Sequence, residues 1–204
     1  METFAKGWIF RYNPIMLDAA PAPSRHSLLR VLGEFLRLAI VAAAIALPIR
    51  YFIAQPFIVR GASMEPNFRE REYLIIDELS YFFREPIRGE VIVFRYPANP
   101  KEYFIKRVIG LPGETVEINT GGIFVINETN PEGFRLSEPY IAPGVETRGS
   151  ARFSLGSGEY VVLGDNRPSS SDSRGWGILD KKFITGRAVF RVFPVQRLGI
   201  VAEP

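Results

Sequence analysis

Residues 90–111 read EVIVFRYPANPKEYFIKRVIGL and contain two runs of β-branched and aromatic residues, EVIVFRYP and YFIKRVIGL, around a short polar segment with Pro. Runs of this kind, bounded by Gly and Pro, are typical of β-strands. Five more follow Gln55: YLIID (73–77), TVEI (115–118), GIFVI (122–126), EYVVLG (159–164) and RAVFRVFP (187–194). Their spacing predicts a mainly β, predominantly antiparallel domain over residues 57–204.

One region of this domain is richer in turns than the rest. The stretch INTGGIFVI (118–126) is typical of a hairpin with Gly121 and Gly122 in its turn. Residues 127–157 then contain many Gly, Pro and polar residues. We therefore expect a small excursion from the core sheet at about 119–157.

The composition of the 204 residues limits the chemistry available to the protein. The formal net charge is +3, from 25 basic and 22 acidic residues with no basic run, so no nucleic-acid partner is expected. The absence of Cys excludes a disulfide framework, a thiolate nucleophile and a Cys-based metal site. The only His is His26, in a Pro- and Ala-rich segment, so we expect no metal and no cofactor.

The N-terminal part has a different character. Residues 1–30 show little helical or strand period and are predicted to form a flexible tail. In residues 31–56, the stretch Leu38–Ile49 is apolar and uncharged between Arg37 and Arg50. It rises only about 18 Å against a hydrocarbon core of about 30 Å, so a span needs both Arg to snorkel and the flanking turns to contribute. We predict a transmembrane anchor helix there, with a buried or in-plane helix as the alternative.

Two adjacent cations lie inside the run YFIKRVIGL. Side chains alternate along a strand, so Phe104 and Lys106 share one face while Arg107 projects from the other. One of the two cations therefore meets a different environment from its neighbour. The alternative is that both lie at a solvated edge, where Lys protects a strand from edge pairing.

A candidate nucleophile is Ser63 in RGASMEPNF (60–68), where two small residues before it let a substrate backbone approach. A Ser hydroxyl needs an adjacent base, and with His26 in the tail the candidate is the neutral form of Lys106. The reference pKa of Lys is near 10.4, so burial has to lower it by several units. The alternative is that Ser63 is an ordinary loop residue.

The loop SSSDSRGWG (169–177) follows the apolar run EYVVLGDNRP (159–168). A hydroxyl that is itself fixed by a carboxylate would aim the Lys106 amine, and this loop offers Ser170 and Asp172. A solvated turn is the alternative, because Ser, Asp and Gly favour turns for local reasons.

Four segments in this order resemble the successive motifs of bacterial type I signal peptidases: GASMEP (61–66), RGEVIVFRYP (88–97), FIKRVIGLPGE (104–114) and GDNRPSSSDSRGWG (164–177). The resemblance covers Arg37 to about Pro194. It implies an antiparallel catalytic domain of signal-peptidase type and a membrane-anchored serine endopeptidase. Such an enzyme removes signal peptides from exported preproteins at the outer face of the bacterial cytoplasmic membrane, so the expected partners are preprotein signal peptides and the lipid bilayer. Residues 1–30 would then be cytoplasmic and the chain single-pass.

The same resemblance implies roles for individual side chains. Ser63 would be the nucleophile and Lys106 the general base. Ser170 would hydrogen-bond the Lys106 amine, while Asp172 and Arg174 would brace the loop.

The sequence departs from the family pattern at two positions. Some relatives carry a hydroxyl two positions before the nucleophile, where this chain has Gly61, so we expect the oxyanion hole to use the Ser63 backbone N–H and another group in the Gly61 region. Asn67 stands where Thr is usual, and we expect an effect on packing rather than on chemistry. Shallow pockets would select small side chains in an A-x-A pattern. The expected pocket residues are Ile58, Met64 and Ile105.

Two other functions fit parts of the sequence. A membrane-tethered β-domain that binds peptides without cleavage would have the same fold without an activated lysine. A self-cleaving regulator with Ser/Lys chemistry would need a nucleic-acid or sensory domain, which the short tail and the apolar segment argue against.

Overall fold

The computed structural model describes residues 25–48 and 55–202. Most of the predicted tail and part of the predicted anchor therefore lie outside the described residues. The chain divides into an N-terminal unit and a β-domain, each considered by itself below.

The N-terminal unit, which ends at Ala44, contains most of helix α1, Arg25–Pro48. It begins at Arg25, six residues before the predicted anchor at residue 31, because RHSLLR contains neither Pro nor Gly to stop a helix. Large apolar side chains between Leu29 and Val41 are exposed. Over residues 25–48 and 55–202, no helix combines the length and the apolar character that a membrane crossing requires.

Within residues 55–202, the β-domain contains twelve strands, one short α-helix and four single-turn 3-10 helices. In chain order the strands and the α-helix are β1 (Gln55–Ile58), β2 (Tyr73–Asp77), β3 (Val91–Tyr96), β4 (Asn99–Gly110), β5 (Thr115–Asn119), β6 (Gly122–Asn127), β7 (Asn130–Arg135), β8 (Ala151–Ser154), β9 (Glu159–Leu163), α2 (Ser173–Trp176), β10 (Leu179–Asp180), β11 (Ile184–Phe193) and β12 (Gly199–Ile200). Every run predicted as a strand overlaps one of these strands. Polar strands such as β7 (NPEGFR) lack that signal and form because a neighbouring strand supplies their hydrogen bonds.

The larger sheet has eight strands in the order β1-β2-β11-β3-β4-β9-β10, with β12 paired to β11. All of its pairings are antiparallel, which confirms the mainly antiparallel prediction. At the centre, residues 91–94 of β3 are buried on both faces. A fully buried strand reads as a continuous apolar run, which is why this stretch gives so clear a signal in the sequence.

A second sheet, in the order β7-β6-β5-β8, occupies residues 115–154. It includes most of the excursion predicted at about 119–157 and begins earlier, at Thr115. The hairpin turn consists of Thr120 and Gly121, and Gly122 is already the first residue of β6, paired with Asn119.

Three buried apolar clusters hold the domain together. The cluster that supports the candidate site contains Val59, Met64, Phe68, Leu74, Ile76, Val91, Val93, Ile105 and Ala188. Where the chain passes from β4 into the second sheet, a Cβ on Gly110 would lie 2.5 Å from Val116 Cγ2 and 2.8 Å from Leu155 Cδ1. Only Gly allows the two sheets to approach this closely.

Candidate active site

The loop after β1 carries Ser63. Gly61 has a φ of +79°, a left-handed conformation that Gly adopts without strain. Asn166, just beyond β9, holds the loop at two points, because its backbone N–H donates to Ser63 O (3.0 Å) and its Nδ2 donates to Ala62 O (3.0 Å). The nucleophile candidate is therefore fixed against the end of a buried strand.

Lys106 extends from β4 towards this loop. Its Nζ donates to Ser63 Oγ at 2.7 Å and to Ile105 O at 2.9 Å. Only 4% of Lys106 and 7% of Arg107 is exposed to solvent, so the alternative of two cations at a solvated edge is wrong. The structure brings together the hydroxyl and the amine that the sequence singled out.

Burial changes the acidity of the Lys106 amine. Loss of hydration lowers the pKa of Lys106 from 10.5 to about 8, although the carboxylates of Asp172 and Asp165 act in the opposite direction. The Phe104 ring, with its centroid 5.3 Å from Nζ, forms part of the surroundings. At pH 7 about one amine in ten is then neutral, against about one in 3,000 for a solvated lysine.

The serine-rich loop is organised by Asp172, which caps α2. Its carboxylate accepts hydrogen bonds from the Gly164 N–H (3.1 Å) and from Nε (2.8 Å) and Nη2 (2.8 Å) of Arg174. Arg174 also donates to Arg167 O at 2.6 Å. Burial alone would raise the pKa of Asp172, but the bonds from Arg174 and Gly164 hold it below its ordinary value. Asp172 and Arg174 thus connect the loop to the end of β9.

Ser170 differs from its expected role. Its Oγ is buried and makes no hydrogen bond to Lys106, which donates to Ser63 and Ile105 instead, while the Ser170 side chain helps to lower the pKa of Asp172. The predicted bond from Ser170 to the amine is therefore absent. Ser170 packs against Gly164, where an added Cβ would lie 2.2 Å from Ser170 Oγ and 2.4 Å from Ser63 O. Ser170 therefore contacts Gly164, next to the loop of Ser63, and interacts with Asp172 rather than with the lysine amine.

An ion pair that the sequence analysis missed lies on the other face of β4. Arg107 donates from Nε to Asp165 Oδ1 (2.8 Å) and from Nη2 to Asp165 Oδ2 (2.6 Å), and its guanidinium lies 4.0 Å from the centroid of the Tyr140 ring. The register pairs Arg107 with Leu163, and Asp165 follows two residues later on the same side. A charged residue directly after a buried strand, opposite an inward cation, was the signal that could have found this pair.

Asn67 joins the same network. Its Nδ2 donates to Asp165 Oδ2 (2.8 Å) and to Tyr140 O (2.7 Å). Its backbone carbonyl oxygen accepts hydrogen bonds from Arg191 and Arg197. The residue that replaces the usual Thr therefore contributes to the packing around the site.

A cleft of about 850 Å³ leads to Ser63 and Lys106. It is lined by β1, by the loop after it and by the first part of β4, and it includes Ile58 and Ile105 as expected. Met64 is only 1% exposed and packs in the core, so the structure places this predicted pocket residue elsewhere. Its side chain points inward from a loop whose Ser63 points into the cleft.

Gly61 and Ser63 both line the cleft, and Gly61 has no side-chain donor to offer there. In residues 25–48 and 55–202, no group of three or more acidic or His side chains is placed to hold a metal ion.

The Ser63 hydroxyl is thus hydrogen-bonded to a buried lysine amine at a cleft, an arrangement that serine hydrolases with a lysine base use. The sequence profile of the family described as "Signal peptidase, peptidase S26" matches residues 32–193. The chain belongs to this family, and it is a serine endopeptidase.

Several relatives resemble the chain over most of its length. The signal peptidase I of Leptolyngbya laminosa is 37% identical over 94% of this chain and 95% of its own. The probable signal peptidase I-1 of Synechocystis sp. is 36% identical over 90% of this chain and 92% of its own. A signal peptidase I from Enterococcus faecalis V583, known from a crystal structure, is 31% identical with a TM-score of 0.43 over 51% of this chain and 97% of that chain.

Proposed function

We propose that this endopeptidase removes signal peptides from exported preproteins with Ser63 as the nucleophile and neutral Lys106 as the general base. Removal of signal peptides by a serine protease follows from the family. The observation that supports the two residue roles is the 2.7 Å contact between Lys106 Nζ and Ser63 Oγ at a buried amine whose pKa is lowered to about 8.

The neutral amine accepts the Ser63 hydroxyl proton while Oγ attacks the carbonyl carbon before the scissile bond. The protonated Lys106 then delivers this proton to the leaving amine. In the second half, Lys106 removes a proton from a water molecule that attacks the acyl carbon, and it returns that proton to Ser63 Oγ as the acyl group leaves. Because the amine is buried, its charged form lacks hydration and returns the proton readily.

Negative charge that develops on the substrate carbonyl oxygen is stabilised by the Ser63 N–H. A second donor comes from the backbone in the Gly61 region or from water, because Gly61 has no side chain to contribute. Loss of one well-placed donor typically lowers a rate by about 10² to 10³. The loop braced by Asp172 and Arg174 keeps the end of β9 in place behind the nucleophile.

The substrate binds as an added β-strand in the cleft. β1 is the edge strand of the larger sheet, and β4 pairs with β9 only from Arg107 onward, so each has an edge available for backbone hydrogen bonds. Ile58 and Ile105 line the part of the cleft next to the dyad and leave room for small side chains at the first and third positions before the cut, the A-x-A pattern.

The N-terminal segment anchors the enzyme in the cytoplasmic membrane. The uncharged stretch Leu38–Ile49 and the exposed apolar side chains of α1 support this proposal. The predicted anchor at residues 31–56 then ends before Gln55, because Gln55 and Pro56 belong to β1. Residues 1–30 face the cytoplasm, and the β-domain acts on the outer side. A fractionation in which the full chain sediments with membranes and resists alkaline extraction tests this arrangement, and release by alkali would refute it.

The test of the chemistry is cleavage of a synthetic peptide that carries an apolar segment followed by A-x-A. The detergent-solubilised full chain is compared with Ser63→Ala and Lys106→Met. We expect the wild type to cut directly after the second Ala and both variants to lose about 10³-fold or more in rate.

Matched controls are Ser150→Ala and Lys182→Met, which make the same changes at exposed positions. Both should cut like the wild type. A folded wild type that binds the peptide without cutting it, or a Lys106→Met variant that retains full activity, would refute the assigned chemistry.

A further inference from the structure

A second cavity of about 390 Å³ adjoins the active-site cleft. Tyr103 lines both cavities and packs edge-on against Phe57 of β1, with ring centroids 5.2 Å apart. The second cavity is therefore separated from the cleft by the ring of a half-exposed tyrosine.

The register of β3 and β4 places both cavities on one face of the sheet. Val93 pairs with Ile105, and Arg95 pairs with Tyr103. Since side chains alternate, these four point to the same side. The first pair lines the cleft, and the second pair lines the second cavity. A peptide that extends along β4 from the dyad would therefore pass from one cavity to the other.

Glu78, directly after β2, lines the second cavity. Its Oε1 is buried and, within residues 55–202, has no hydrogen-bond partner. Burial raises the pKa of the Glu78 carboxyl. A buried carboxyl oxygen without a donor is costly to the fold, and a ligand that supplies the donor removes this cost.

The other charged groups of the cavity are Arg95 and Lys181, and its remaining polar groups are the hydroxyls of Tyr81, Tyr103 and Thr185. Arg95 donates to Lys182 O at 3.4 Å, and Lys181 pairs with Glu85. A ligand ammonium or guanidinium would be repelled by Arg95 and Lys181, and a carboxylate by Glu78. A neutral carboxamide avoids both repulsions, because its NH₂ can donate to Glu78 and its oxygen can accept from Arg95 while it carries no net charge.

We propose that this cavity is a further substrate subsite, in which Glu78 binds a carboxamide side chain at the fifth position before the cut. This rests on the proposed function. One residue of strand advances about 3.3 Å and alternate residues share a face, so positions one, three and five point to the same side. With the first position beside Ile105 and the third beside Tyr103, the fifth lies beyond the tyrosine ring, where the second cavity is.

The test uses A-x-A peptides that differ only at the fifth position before the cut. Gln is compared with Met, which has nearly the same shape without the hydrogen-bonding groups, and with Lys and Glu. We expect kcat/KM of the wild type to be about tenfold higher for Gln than for Met, since one hydrogen bond to a buried partner contributes about that factor. Lys and Glu should be cut more slowly than Gln.

Three variants connect the preference to Glu78. The ratio of kcat/KM for the Gln and Met peptides should fall to about one in Glu78→Met and to an intermediate value in Glu78→Gln, which retains an acceptor. Glu132→Gln, the same change at an exposed position of β7, should keep the wild-type ratio.

The outcomes distinguish the two proposals. If the wild type cuts the Gln and Met peptides equally, or if the preference survives in Glu78→Met, the subsite is refuted while the peptidase proposal stands. A faster cut with Lys or Glu than with Gln would refute the carboxamide assignment. If the wild type cuts none of the peptides, the proposed function itself fails.

Discussion

Replacing Lys106 by Met tests the effect of the buried amine on the stability of the domain. Burial lowers the pKa of Lys106 to about 8 in the folded protein from 10.5. Between these two values the unfolded chain binds more protons than the folded one, so the stability of the wild type rises with pH across this window. Below pH 8 the full cost of the buried charge is present.

The difference of 2.5 pKa units from those two values sets the size of the effect. It corresponds to a cost of about 3 kcal/mol at pH 7, which decreases to about 1 kcal/mol at pH 10. Lys106→Met removes this contribution. We therefore expect Lys106→Met to gain stability over wild type at pH 7, and this gain should shrink by about 2 kcal/mol when the pH is raised to 10.

The assay is denaturant unfolding of both full chains in the same detergent at pH 7 and pH 10, followed by tryptophan fluorescence. Comparing one difference at two pH values cancels packing effects of the Met side chain and every other titrating group that the two chains share. Lys182→Met, at an exposed lysine, should show no such change. A difference for Lys106→Met that stays constant within about 0.5 kcal/mol would refute a lowered pKa at this position.

Three further outcomes follow from the site. The wild-type kcat/KM should rise with pH along a limb centred near 8 and reach at pH 7 about a tenth of its plateau, and a limb near 10 would contradict burial of the Lys106 amine. Gly164→Ala should lower kcat/KM about 100-fold in the peptide assay, because the new Cβ would lie 2.4 Å from Ser63 O. Full activity of this variant would show that the loop carrying Ser63 moves aside freely. Arg107→Met should lower the free energy of unfolding by about 3 to 5 kcal/mol, because it leaves Asp165 buried without its cation. A double variant that also changes Asp165→Leu should regain most of this loss. Equal stability of the single and double variants in denaturant unfolding would refute the pairing.

The sequence predicted the strands that carry the site because their periodicity is strong. β3 and β4 are apolar where the sheet covers them, and the position of Lys106 in β4 follows from alternation alone. The contact between Lys106 and Ser63 was inferred from what a serine nucleophile needs, and the structure places the two groups at hydrogen-bond distance.

Other parts of the site depend on information that a linear pattern lacks. Met64 was expected in the cleft, but the turn of its loop buries it, and turn geometry is not encoded in periodicity. The Arg107–Asp165 pair requires the register between β4 and β9, which sets two distant residues opposite each other. The Ser170 hydroxyl lies against Gly164 and interacts with Asp172 rather than with the lysine that the resemblance implied, and both contacts depend on how the loop folds.

The neighbouring positions of Lys106 and Arg107 on β4 make catalysis dependent on strand alignment. In the proposed mechanism Lys106 has to lose its proton, whereas Arg107 forms a buried ion pair with Asp165. A slip of β4 by a single residue would exchange the two faces and point the arginine at Ser63. Such a misaligned molecule could retain most of its secondary structure and still have no base. Activity therefore requires the register that β3 and β9 impose on β4.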